Sequence, residues 1–142
     1  PFTQSSNLLD ALGTSLAEID WPSRFRRLAQ DGAWLRCAME FRGWRLLASA
    51  KHASPAVHTL IPPSGVSARA LGEQLRDASW LVSFESGYLR ERNWMQLCLM
   101  GHYPPAALHS FPAALDRFVM MSTVPQSGAS IDGAAYPAAA RS

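Results

Sequence analysis

Few residues of this sequence are of types that do chemistry, and their spacing limits what they can do. The histidines are His52, His58, His102 and His109. None stands at a ligand spacing with a second histidine, cysteine or carboxylate on one helical face, so no metal site is expected. A nucleophile would need serine or cysteine oriented by a base. No Gly-x-Ser-x-Gly elbow occurs, and Cys37 and Cys98 sit in apolar runs that disfavour a thiolate. Glu40 and Glu85 could converge for acid–base work, but both occupy outward positions on expected strands, where a carboxylate meets solvent. Gly65 is isolated and Gly43 and Gly87 fall in hairpin-type turns, so no glycine-rich loop opens a helix to hold a phosphate. No catalytic residue and no cofactor is expected, and the chain reads as non-enzymatic.

Basic and aromatic residues interleave at Arg24, Phe25, Arg26 and Arg27, and again at Arg90, Arg92 and Trp94. That pattern suits single-stranded nucleic acid. The overall balance does not: 13 basic against 11 acidic residues leave a formal charge of +2, too even for a nucleic-acid binder. The more specific signal is apolar. Hydrophobic residues make up 48% and charged ones 17%, and five tryptophans, Trp21, Trp34, Trp44, Trp80 and Trp94, sit in one small chain. Tryptophan favours interfaces because one edge can stay wet while the ring is buried.

The elements that position these residues follow from periodicity. Leu8, Leu9, Leu12, Leu16 and Ile19 share one face of a first helix, which Trp21-Pro22 ends before a short piece capped by Ser23. Asp31-Gly32 marks a turn. Leu35, Cys37, Met39 and Phe41 alternate with polar partners in a strand, and Trp44 to Lys51 returns as its hairpin mate through Arg42-Gly43. Val57 to Ile61 is a third strand, and Ser67 caps a helix from Ala68 to Ala78. Two further strands, Trp80 to Glu85 and Asn93 to Met100, are joined through Ser86-Gly87. Ser110 caps a last helix with Pro112 in its first turn.

The expected fold class is therefore α+β, antiparallel sheet segments with packed helices in the order α-β-β-β-α-β-β-α. Residues 1–124 form one domain, and 125–142, rich in Gly, Ala, Ser and Pro, read as a mobile tail. The two cysteines read as small buried hydrophobes of a reducing compartment. No stretch approaches about 18 apolar residues, and Pro1 to Asn7 carry no signal-like pattern, so a cytoplasmic, membrane-free chain is expected.

In its element order, its opening Leu8-Leu9-Asp10-Ala11-Leu12-Gly13 and its Phe84-Glu85-Ser86-Gly87 turn, the stretch from Leu8 to about Thr123 resembles the small chaperones of bacterial type III secretion. The resemblance implies a homodimer or heterodimer formed through Leu71, Leu75, Trp80 and Val82. It also implies a groove for an apolar segment of a client or effector protein, built from Leu12, Leu16, Trp44 and Leu46. Two features depart from the family: its members are acidic, and the stretch from Trp21 to Gln30 is long for the pattern. The leading expectation is a protein-binding module of this kind. The alternatives are a small ligand-binding domain or hydrolase whose pocket is lined by tryptophans and His58 or His102, and an immunity-type inhibitor.

Overall fold

In the computed structural model, which describes residues 5–123, the stretch from Trp21 to Phe41 is a single helix of 21 residues. This corrects both the turn at Asp31-Gly32 and the strand from Trp34. The alternation of Leu35, Cys37, Met39 and Phe41 holds only locally. Over the longer window Leu28, Gly32, Leu35 and Met39 recur at helical spacing and are buried, while Cys37 is exposed and Phe41 is 88% exposed. A helix satisfies that longer period, and it wins because it buries more of the apolar set.

The helix begins at Trp21-Pro22, which therefore start an element as well as ending one. Asp20 is its cap: the Ser23 amide donates to Asp20 Oδ1 at 3.2 Å, and Pro22 lies in the first turn, where no N–H is needed. The elements are α1 (Ser6–Ala17), α2 (Trp21–Phe41), β1 (Arg45–Leu46), a 3-10 turn (Ala50–His52), β2 (Val57–Ile61), α3 (Ala68–Asp77), α4 (Gly87–Arg92), β3 (Met95–Cys98) and α5 (Pro105–Thr123). The class is α+β, with helices packed on a small antiparallel sheet. The order is α-α-β-β-α-α-β-α rather than the one the sequence suggested.

The sheet has the strand order β1-β2-β3, both pairs antiparallel. Arg45 stands opposite Ile61, and Val57 to Leu60 face Cys98 to Met95. Trp44 to Lys51 yields only the two residues of β1. Trp80 to Glu85 yields only one bridge, Ser83 to Gln96. The Ser86-Gly87 turn is instead the start of α4, where Ser86 Oγ accepts from the Leu89 amide at 3.3 Å. The last helix starts at Pro105, not at Ser110, so Pro112 lies buried in its interior and forgoes one backbone bond.

Two helix ends set the path of the chain. Ser79 (φ 65) and Asn93 (φ 55) are left-handed, and the following tryptophans close the motif: Trp80 N–H donates to Leu75 O at 2.8 Å and Trp94 N–H to Leu89 O at 2.9 Å. Each is a Schellman end with serine or asparagine where glycine is usual. Asn93 also ties α3 in place, accepting from the Ala68 amide at 2.7 Å and donating to Val66 O at 2.8 Å.

One core joins the elements. Leu35 and Met39 of α2, Leu60 of β2, Leu71 and Leu75 of α3, Met95 and Leu99 at β3, and Phe111 and Leu115 of α5 are all buried in it. The helix α1 buries none of its residues, so Leu8, Leu9, Leu12 and Leu16 stay exposed on it, as does Ile19 just past its end. The tail from Pro125 lies outside the described residues. Among the described residues no helix is long and apolar enough to cross a membrane.

Candidate functional site

The site is built where β3 loses its outer neighbour. Gln96 exchanges both backbone bonds with Ser83, at 2.9 and 2.8 Å, but the Schellman end of α3 pulls Ser79 and Trp80 away from the strand. The divergence opens a cleft of about 380 Å³. Trp80 and Leu81 form one wall and Leu97 and Leu99 the other, over a floor of Leu108 and Phe111 from α5. Trp80 meets the Phe111 ring edge-on, 5.4 Å between centroids, which sets the depth of the cleft. Leu81 on its lip is 85% exposed, and Met100 nearby is exposed as well.

The polar groups around the cleft serve mainly to hold its rim. Arg24 Nη2 donates to Met100 O at 2.6 Å and Gly101 O at 3.1 Å, with Leu99 O at 3.3 Å, so one guanidinium gathers the exit of β3. Tyr103 donates its hydroxyl to Asp31 Oδ2 at 2.7 Å. Burial, and then this bond to a carboxylate, push the phenol up to about 12, so it stays a donor at neutral pH. Cys98 and His102 both line the cleft, but no hydrogen bond joins them among the described residues, so no thiol–imidazole pair is formed. Both cysteines are free and exposed, which corrects their expected burial.

The residues expected to carry function are dispersed. Leu71 and Leu75 are 0% exposed inside the chain's own core, so no partner can touch them in this conformation. Val82 is half-buried against that core, and of the proposed interface only Trp80 lines the cleft. Trp44 turns inward and donates its indole N–H to Asp116 Oδ1 at 2.9 Å, and Leu46 packs partly on the core, while Leu12 and Leu16 remain exposed on α1. Glu40 and Glu85 do not converge: they pair with Arg36 at 2.9 Å and Arg76 at 2.8 Å. The basic clusters are likewise occupied, Arg27 by Asp31 at 3.5 Å and Arg92 by the rings of Tyr88 and Trp94. No group of three or more metal-ligating side chains forms among the described residues.

His102 lines the cleft with Trp80, as the ligand-pocket alternative expected, whereas Leu97, Leu99 and Phe111 were not legible as site residues. The one local signal was Ala78-Ser79-Trp80, small and polar residues at a helix end, where a left-handed residue diverts the next segment.

Among the described residues, His58 is the exception to the satisfied buried side-chain polar groups. It is 3% exposed, with Nε2 3.3 Å from Pro55 O. A carbonyl only accepts, so Nε2 carries the proton, and Nδ1 is left buried without a partner. Desolvation lowers its pKa from the ordinary 6.5, and the Arg36 charge adds to this. Below pH 6.5 the unfolded chain takes up a proton that the folded one refuses. Stability is therefore complete above that pH and falls as pH drops through the window beneath it. In urea titrations from pH 8 to pH 5, His58→Leu is expected to lose less stability than the parent; equal slopes would show that His58 is free to protonate.

No protein-family model matches this sequence, and no curated protein matches it. Among solved structures the fold is similar to part of an aspartate aminotransferase of subgroup IV from Thermus thermophilus, with a TM-score of 0.54 and 23% identity. The match covers 66% of this chain and 26% of that chain, so this fold corresponds to about a quarter of the larger enzyme.

Proposed function

We propose that this chain is a polypeptide-docking module, an α+β unit whose cleft face works against the surface of another polypeptide body. The observation that carries this is the apolar cleft at the open side of β3, lined by exposed Leu81 and half-buried Trp80 and Leu97. Apolar surface gathered in a concave site is what an interface buries. The aminotransferase similarity supports the same reading, because there a unit of this shape is one part of a larger chain.

The fold adds no support to the secretion-chaperone attribution, since half of the implied dimer contact lies in the core.

The proposal is tested with an apolar fluorescent dye such as anilinonaphthalene sulfonate. The folded chain is expected to bind it saturably. Leu81→Arg, which changes an exposed side chain on the lip, is expected to weaken binding roughly tenfold without altering the circular dichroism. A chain that binds no dye would show that the apolar ring is already covered.

A further inference from the structure

The chain from Ala48 to Pro55 is pinned at both ends and loosely held between them. Leu47 N–H donates to Thr59 O at 3.0 Å and Leu99 N–H to Ala56 O at 2.7 Å, so the sheet fixes the two flanks. None of the residues from Ala48 to Pro55 is buried, and among the described residues two hydrogen bonds tie this flap to other elements. Arg36 Nη2 of α2 donates to Ala48 O at 2.8 Å, and His58 Nε2 of β2 donates to Pro55 O at 3.3 Å. A cavity of about 220 Å³ lies between α2 and the flap, lined by Ala33, Arg36, Ala53, Ser54 and His58. It shares no lining residue with the cleft at β3.

We propose that Ala48 to Ser54 form an acid-released flap, with Arg36 as its latch and His58 as the group that opens it. A second proton on the imidazole has to go to Nδ1, which is buried and has no acceptor among the described residues. The ring would then carry charge out of reach of water, beside the Arg36 guanidinium. The other charged groups nearby do not offset this. On α2, Glu40 is bonded to Arg36 at 2.9 Å, and Asp31 is taken by Arg27 and Tyr103. β3 sets uncharged Leu97 opposite His58, β1 carries exposed Arg45, and the flap itself carries Lys51 and His52, both exposed and basic. Repulsion between imidazolium and guanidinium is relieved at the weaker bond of Arg36. Its pair with Glu40 joins opposite charges whereas Ala48 O is a neutral carbonyl, so the guanidinium keeps Glu40 and releases Ala48. Pro55 stays in place, because an imidazolium still donates from Nε2. The flap therefore swings on its Pro55 end and lets water into the cavity beside His58. Opening here costs less than unfolding the core, since the flap has no buried residue to expose.

Backbone amide and histidine ring resonances of the isotope-labelled full chain, followed from pH 8 to pH 5, test this. A His52→Gln background leaves the flap with no group of its own that titrates in this range. The His58 ring is expected to titrate with a midpoint below the ordinary 6.5. The amides from Ala48 to Ser54 should shift with that same midpoint, while those of Leu71 and Met95 stay still. His58→Gln, whose amide can still donate to Pro55 O, is expected to lose the pH response of the flap. Arg36→Met at pH 8 should bring the flap amides to the positions that the parent reaches in acid. Flap amides that stay still down to pH 5, whether or not His58 titrates, overturn the proposal, as does a response that survives His58→Gln. Loss of the Leu71 and Met95 signals in step with the flap makes the acid response global unfolding and overturns it too. The titration alone decides the matter even where a variant does not fold.

Discussion

Leu71→Ala is expected to lower the stability of the chain by about 3 kcal/mol, with an unfolding midpoint that does not move with protein concentration. Leu71 is 0% exposed and sits on the inner face of α3, which packs on α5 and β3 beside Leu75, Phe111 and Met95. Deleting three carbons there removes transfer free energy and leaves a cavity that close-packed neighbours fill only in part. The same substitution in a dimer face has a different signature: the midpoint would rise with concentration, because association would then contribute to stability. Denaturant titrations at two concentrations a hundredfold apart decide the matter. A midpoint that moves with concentration in the parent but not in Leu71→Ala would place Leu71 at an interface, and would require α3 to turn its buried face outward.

Gly32→Ala is expected to cost about 2 kcal/mol even though alanine is the better helix former. A Cβ at Gly32 would meet Pro55 O at a distance no real contact tolerates, with Pro55 C and Cα at 3.0 Å. The obstacle is backbone, so it cannot swing aside. Helix propensity returns about 1 kcal/mol, which does not offset an overlap that must move either α2 or the loop carrying Pro55. Pro55 O is also the acceptor for His58 Nε2, so a shifted loop would disturb the one buried histidine as well. Gly13 in α1 is the control: a Cβ there meets nothing within 4 Å, and Gly13→Ala is expected to be neutral or slightly stabilising. Thermal unfolding of the two variants reads the difference. If Gly32→Ala matched the parent, α2 and the loop would not approach as closely as they do here.

The docking proposal depends on a small difference in chain path. Had Ser79 continued in a right-handed conformation, Trp80 and Leu81 would have lacked the pull of the α3 end. The segment could then have paired along β3 beyond Gln96, and the cleft would have closed. A residue that costs strain in the left-handed region is kept where the following indole packs on Phe111 and its amide is bonded to Leu75 O.

The sequence by itself determined the α+β class, the helix from Ala68 with its Ser67 cap, expected to Ala78 and ending at Asp77, and the strand Val57–Ile61. These are elements whose local period, cap and breakers agree, so no tertiary choice had to be made. Tertiary structure decided the rest. Leu35 to Phe41 alternate over a window short enough to satisfy a strand, and only burial of Leu28, Gly32, Leu35 and Met39 on one face selects the helix. Trp80 to Glu85 carry a strand pattern, yet the preceding helix end holds the first residues off the ladder and leaves one bridge. The cleft is likewise tertiary: its walls come from residues far apart in the chain, and they converge because one strand neighbour diverges over a floor that α5 supplies. No local pattern encodes a gap between segments, since a gap is set by where each segment is anchored.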